Sequence, residues 1–378
     1  MIPPDPQEVR RILIRANNWI GDVVMISPAV RAIHEHFHRA RVAILAKRWV
    51  LEALGGNPFY DDLVEYDHTG RHAGLSGRLR LAAELRRGGR IDLAILFQKA
   101  FDAAVIAWLA AARARVGHAT DRRSLLLTSA VPLPLAGTHH VDAFLGLARI
   151  LGCPIRDRQP FFHLSPADRE RAAVRAAAAG LAEAPLLVAL HAGASKAPRA
   201  WSADRFAALA QRLCRRHGAV LLPIGGGEDA AVLRRIAEGL PPRSLLTVPD
   251  DTGLRDTAAL LERCHLFVGN DSGPMHLSAA LGVPTLGIFG PGSPRATGPI
   301  GPEGRVAVIG RDYPCSPCRQ DFFRECPPAP SGKPFCLEEI GVEEVESAAL
   351  ALLRGARQTT RAGAPGAPVP EQASPPQP

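Results

Sequence analysis

The sequence predicts an α/β chain of two doubly wound domains with a cleft between them, and three observations carry this. At 378 residues the chain is longer than one ordinary core supports. Short continuous apolar segments alternate with helical stretches in both halves, the pattern of parallel strands covered on both faces. In the second half each glycine-rich or polar loop follows the end of a predicted strand, the edge at which open α/β sheets bind ligands.

Residues 1–9 form a polar, proline-containing lead-in. A first domain then spans 10–160: strand 11–15, loop 17–22, and a helix over 23–37 whose start is either Val23 or Ser27-Pro28. Strands 42–45, 63–66 and 93–97 follow, separated by a short helix near Val50 and a longer one over 79–87. An alanine-rich helix through Trp108, a short strand at 115–117, a loop-rich stretch over 120–138 and a helix over 142–151 complete it. The proline-punctuated segment 156–166 reads as the interdomain linker.

The second domain, 161–355, opens with a helix over 169–179. Strand 186–190 runs into His191-Ala-Gly-Ala-Ser195, and Ser202 is placed as the N-cap of a helix that Gly218 stops. Strand 219–224 leads to Gly225-Gly-Gly-Glu228 and a helix over 229–238. A strand over 244–248 and a helix over 254–264 precede strand 265–268. That strand leads into Gly269-Asn-Asp-Ser-Gly-Pro-Met-His276, where a helix starts with Pro274 just inside its first turn. Free N–H groups at such a start bind phosphate, and Gly273 lets a ligand approach the backbone; a plain Asp or Ser helix cap is the alternative. Strand 285–289 leads to Gly290-Pro-Gly-Ser-Pro294, and 306–309 is the last strand. The loops 191–201, 225–228, 269–276 and 290–295 are therefore expected to face one crevice. A helix over 343–353 is expected to pack back across the two domains, and 356–378, rich in Ala, Gly, Pro and Gln, reads as a disordered tail.

Composition narrows the function. Hydrophobic residues make up 47% and charged residues 22%, as in a soluble globular protein, and no apolar run is long enough to span a membrane. No basic start followed by an apolar core is present, so a cytoplasmic protein without a signal peptide is expected. The net charge of +8 suits an anionic ligand or lipid surface. Aromatics are 5% and not interleaved with the arginines, which argues against nucleic acid as a partner. Neither a dinucleotide glycine fingerprint nor a P-loop nor a nucleophile elbow occurs.

Four stretches carry a resemblance: Asn17-Asn-Trp-Ile-Gly-Asp-Val-Val-Met25 with Ser27-Pro-Ala29, His191-Ala-Gly-Ala-Ser195, Arg199-Ala-Trp201, and Asn270-Asp-Ser-Gly-Pro-Met-His276. Together and in this order they resemble glycosyltransferase family 9, the lipopolysaccharide heptosyltransferases, over about residues 10–355. The Asn-Trp-Ile-Gly-Asp form and Arg115-Val-Gly-His-Ala-Thr-Asp121 are most similar to the heptosyltransferase II branch. The resemblance implies the GT-B fold, two Rossmann-like domains with the active site between them. It further implies an ADP-heptose donor on the second domain and a lipid-linked lipopolysaccharide core acceptor on the first. Inversion at the anomeric carbon without a metal cofactor is implied too, as is peripheral contact with the cytoplasmic face of the inner membrane.

Carried onto this chain, the resemblance makes Asp22 the general base that takes the acceptor hydroxyl proton, with a helix cap as the plainer reading. Asn18, Trp19 and Gly21 fall on the acceptor side. Ser195, Glu228, Asp271, Ser272, Gly273 and His276 fall on the donor side. Of these, Asp271 is expected on the heptose hydroxyls, Ser272 and Gly273 on the diphosphate, and Glu228 on ribose or heptose hydroxyls. Glu228 as a first-turn helix residue and His276 as a packed core histidine are the alternatives. The family usually has Lys-Arg-Trp where this chain has Arg199-Ala-Trp201, so the diphosphate ligand is either Arg199 or Lys196.

Of seven cysteines, Cys153, Cys214 and Cys264 read as isolated core residues. Cys315, Cys318, Cys326 and Cys336 lie in a proline-rich loop over 315–336. As thiolates they would hold a structural zinc tetrahedrally, whereas free thiols or a labile disulfide are the alternatives.

Overall fold

The computed structural model describes residues 4–179, 184–246, 252–316, 318–324 and 326–362, with side chains to residue 356. Its first domain runs β1 (Arg11–Arg15), α1 (Ile20–Met25), α2 (Ser27–His36), β2 (Arg41–Ala46), α3 (Arg48–Leu54), β3 (Asp62–Glu65), α4 (Gly74–Arg87), β4 (Leu93–Leu96), α5 (Phe101–Leu109), β5 (Ala114–His118), β6 (Ser129–Val131) and α6 (His140–Ile150). The six strands pair in the order β3-β2-β1-β4-β5-β6, all parallel. Ile12 stands between Val42 and Leu93 in the central register. The middle strands are buried on both faces, which is why they read as unbroken apolar runs. The strand order reverses between β1 and β4, so the loops after these two strands open a crevice at the carboxyl edge.

The second domain runs α7 (Pro166–Ala178), β7 (Leu187–His191), α8 (Ala203–His217), β8 (Val220–Pro223), α9 (Ala230–Ala237), α10 (Leu254–Glu262), β9 (Leu266–Asn270), α11 (Gly273–Ala280), β10 (Thr285–Ile288), α12 (Pro294–Thr297), β11 (Val306–Ile309), α13 (Phe335–Glu338) and α14 (Val342–Ala362). Its five parallel strands take the order β11-β10-β9-β7-β8. Leu245 extends this sheet past β8 through a single parallel bridge to Leu221. Of the strand expected over 244–248, the described residues 244–246 pair in this way, and Thr247 and Val248 lie outside the described residues.

Three further expectations are corrected. The helix over 23–37 is two helices, α1 and α2: of its two expected starts, Ser27-Pro28 is where α2 begins, because Pro28 has no N–H to give the Val24 carbonyl and the Ser27 hydroxyl donates to that oxygen instead (2.7 Å). Among the described residues, the last helix packs chiefly on the second domain. Val345, Ala349, Leu352 and Leu353 are buried in the core of the second, against α8 and β9–β11. That helix also continues to Ala362, so the tail does not begin at 356; residues 363–378 lie outside the described residues.

The domains meet along α1 with α11 and α3 with α10. The first contact depends on missing side chains. A Cβ on Gly273 would overlap the Ile20 Cγ2 methyl, and one on Gly21 would stand 2.8 Å from His276 Cδ2. Arg255 spans the second contact: it pairs with Asp168, donates to the His163 carbonyl (3.1 Å) and reaches the Ala53 carbonyl of the first domain (3.2 Å).

Candidate active site

A cavity of about 490 Å³ opens where the two carboxyl edges face each other. The first domain contributes Trp19, Gly21, Asp22 and His140 to its wall; the second contributes His191, Ser195, Arg199, Glu228, Asp229, Asp271, Ser272, Gly273 and His276.

Asp22 is the third residue of α1 rather than part of the preceding loop. Trp19 is the N-cap but offers no side-chain bond, so the Asp22 carboxylate sits in the first turn, where the helix dipole favours negative charge. Burial pushes its carboxyl above the usual range, against the side-chain hydrogen bond from Asn17 and the positive fields of His140 and Lys99. A carboxylate so placed is poorly solvated and holds a proton more readily than a free one.

On the facing domain, Asn270 holds two loops in one arrangement. Its side-chain amide donates to the carbonyls of Ala192 (2.9 Å) and Gly193 (3.1 Å), while its Oδ1 accepts from the Trp201 N–H (3.0 Å). The buried Trp201 indole in turn donates to the Ile340 carbonyl (3.0 Å). This framework delivers Arg199 to Asp271, with which it forms an ion pair. Burial raises the Asp271 carboxyl, and Arg199 opposes that shift. The Arg199 Nε is buried without a hydrogen-bond partner, while the residue itself lines the cavity. Ser272 is the N-cap residue of α11, but its hydroxyl donates back to the Asn270 carbonyl (3.0 Å), so no side chain caps the first N–H groups of α11.

Lys196, the other candidate for the diphosphate, does not line the cavity. Its ammonium lies 5.5 Å from the Phe322 ring centroid, over a residue of the cysteine-rich loop. The same loop grips the turn that carries Arg199 through Lys333 Nζ, which donates to the Ala197 carbonyl (2.8 Å). Glu228 lines the cavity on a short 3₁₀ turn, and beside it Asp229 accepts from the Gly226 N–H (3.2 Å) and packs under Gly193 and Gly225. His276 is buried against Gly21. Burial, then the nearby His139 and His140, push its imidazole down to about 3, so it stays neutral.

Other placements differ from the sequence-based expectation. Asn18 turns away from the cavity, where its Oδ1 accepts from the buried Arg15 (3.2 Å); its neighbour Asn17 is the one that reaches Asp22. The loop 290–295 lines a neighbouring cavity of about 590 Å³ with Arg311 and Ser316, and Thr297 is what reaches the main one. Among the residues of the site not expected from the sequence are Asn17, Asp229, His140 and Thr297. For His140 the available signal was a His-His pair immediately before a predicted helix, on the cleft edge of the sheet.

None of the four late cysteines is in a disulfide. Burial, then the neighbouring Cys315, Cys318 and Cys326, push the Cys336 thiol up to about 11. Among the described residues no group of three or more His, Cys, Asp or Glu that could hold a metal ion is found.

Comparison with known proteins agrees with this architecture. Residues 78–326 match the profile of glycosyltransferase family 9 (heptosyltransferase). Lipooligosaccharide heptosyltransferase 2 of Campylobacter jejuni is 26% identical over 349 residues, covering 91% of this chain and 98% of the relative. The crystal structure of a family 9 glycosyltransferase from Veillonella parvula superposes with a TM-score of 0.81 at 24% identity, over 91% of this chain and 97% of that one. The ADP-heptose lipopolysaccharide heptosyltransferase II of E. coli superposes with a TM-score of 0.74 at 22% identity, over 91% and 98%. At these identities the two structures speak for the fold, which is GT-B.

Proposed function

Since the chain belongs to glycosyltransferase family 9, we propose that it is an inverting heptosyltransferase, moving L-glycero-D-manno-heptose from ADP-heptose to the lipopolysaccharide inner core with Asp22 as general base. The observation that carries this reading is the division of the cavity. A single poorly solvated carboxylate, Asp22, stands on the first domain, facing a turn on the second that offers Arg199 and the uncapped N–H groups of α11. The names of the C. jejuni and E. coli proteins support the sugar, and that of the E. coli protein supports the nucleotide.

The chemistry follows from that division. With the acceptor hydroxyl against the first domain, Asp22 takes its proton as the oxygen attacks the anomeric carbon from the face opposite the diphosphate. The bond from that carbon to the diphosphate breaks, and its electron pair leaves on ADP. The growing negative charge falls where Arg199 and the α11 N–H groups are already oriented. Asp271 and Glu228 face the sugar hydroxyls, and the neutral His276 contributes a wall and a hydrogen bond rather than a charge. No step of this scheme is assigned to a metal, and a zinc on the cysteine-rich loop would have a structural part alone.

Incubation with ADP-heptose and a heptose-deficient core acceptor tests the proposal. The expected product is heavier by one heptosyl unit, with ADP released. Product from a UDP- or GDP-sugar alone would reassign the donor, and ADP binding without product from any acceptor would reduce the protein to a nucleotide-binding module.

A lipid-linked acceptor also places the protein at the cytoplasmic surface of a membrane as a peripheral partner. Among the described residues no helix is long and apolar enough to cross one. Support comes from exposed Leu133 and Leu135 in the loop after β6, at the cleft edge, together with the net charge of +8. Co-sedimentation with vesicles containing anionic lipid is expected at low salt and should weaken as salt rises. Equal binding to neutral vesicles, or none to either, would refute it.

A further inference from the structure

His140 is the first residue of α6, and the capping of that helix is done by its neighbour. The His139 ring accepts from the Val141 N–H (3.1 Å), and its Nε2 donates across the domain boundary to the Gly298 carbonyl (3.0 Å). His140 is left with no such task. Among the described residues its imidazole has no hydrogen-bond partner. It lies edge-on to Phe144 with centroids 6.3 Å apart, and it lines the same cavity as Asp22. Its Nδ1 stands 3.9 Å from Asp22 Oδ1, beyond a hydrogen bond but within a small side-chain rotation of one.

Resting on the reading of Asp22 as base, we propose that His140 is a positioning residue that acts through Asp22, receiving at Nδ1 the proton that Asp22 takes from the acceptor. The step balances. The acceptor oxygen forms its bond to the anomeric carbon, the carbon–diphosphate bond breaks with its electrons leaving on ADP, and the hydroxyl proton passes to Asp22. It then moves to the neutral imidazole and reaches water as products depart, restoring the carboxylate for the next turnover.

The surroundings favour this transfer. Burial pushes the Asp22 carboxyl up and the His140 imidazole down, so the two groups approach each other in proton affinity. The charged and titratable groups around the pair are Lys99 before α5, His139 at the N-cap of α6 and His276 on α11, with Asn17 bonded to the carboxylate. After burial, Lys99 and His139 also lower the His140 imidazole, which favours the form able to accept a proton. The attraction is mutual: Asp22 raises the His140 imidazole, and His140 lowers the Asp22 carboxyl.

Two measurements test the proposal. In the transfer assay, His140→Gln is expected to lower kcat by about 10–100-fold, the usual scale for losing a group that supports a reacting one. KM for ADP-heptose should stay unchanged, and the acid limb of kcat/KM should move to higher pH because Asp22 loses a partner that favours its charged form. An unmoved acid limb with wild-type kcat overturns the proposal, as does a loss confined to KM. The second measurement needs no substrate: NMR titration of the His140 ring in the wild type and in Asp22→Asn. A lower His140 pKa in the variant is expected, and an unchanged one overturns the proposal. If the wild type transfers no heptose, the parent reading fails in the first experiment while the second still decides whether the pair is coupled.

Discussion

Asp22→Asn is expected to lower kcat by about 10²–10⁴-fold, the range for a lost general base, while ADP binding stays nearly intact. The asparagine keeps the shape of the first turn of α1 and the Asn17 contact but cannot accept a proton. The nucleotide is spared because its proposed ligands, Arg199 and the start of α11, belong to the other domain. The pH profile carries the same argument. A base works when ionised, so activity should fall as pH drops through the Asp22 pKa. Burial raises that value above the ordinary carboxylate figure of about 3.9, so the acid limb of kcat/KM should stand above it. Steady-state kinetics with ADP titration calorimetry on the same variant checks both halves; retained turnover removes Asp22 from its role.

Arg199→Ala is expected to cost about 10²–10³-fold in kcat, as for removal of one preorganised charge donor. The loss has two sources. The leaving diphosphate loses its cation, and Asp271, buried and paired with Arg199 in the wild type, loses that partner in the donor pocket. Arg199→Lys should recover part of the rate, since lysine supplies the charge without the planar fork. Lys196→Ala should change kcat little, because that ammonium is occupied by the Phe322 ring outside the cavity. Parallel kinetics of the three variants separates the two candidates; a larger loss for Lys196→Ala than for Arg199→Ala would reverse the assignment.

Much of this molecule was legible before its structure because both sheets are parallel and covered on both faces. Buried strands such as Ile12–Ile14 or Val188–Leu190 have to be continuously apolar, and the loops after them have to lie at one edge. Local chemistry was harder to read. Whether α1 continues past Ile26 turns on one hydroxyl, that of Ser27, taking the place of the hydrogen bond that Pro28 cannot make. Asn270 stands in a loop motif that assigns it no part, and its side chain is consumed in joining two loops. Asn17 and Asn18 are adjacent and chemically alike, and only the backbone turn before α1 decides which faces Asp22 and which holds Arg15. His140 joins Asp22 by tertiary packing of α6 against α1, a contact that no spacing in the chain encodes.

The account rests on one displacement, with Asp22 and the diphosphate on opposite sides of the reacting carbon. The anomeric configuration of the product, read by NMR after transfer from the β-configured ADP-heptose, tests this most directly. A single displacement predicts an α-linked heptose. A β-linked product would mean two displacements or front-side attack, and would contradict the placing of base and leaving group on opposite walls of the cleft.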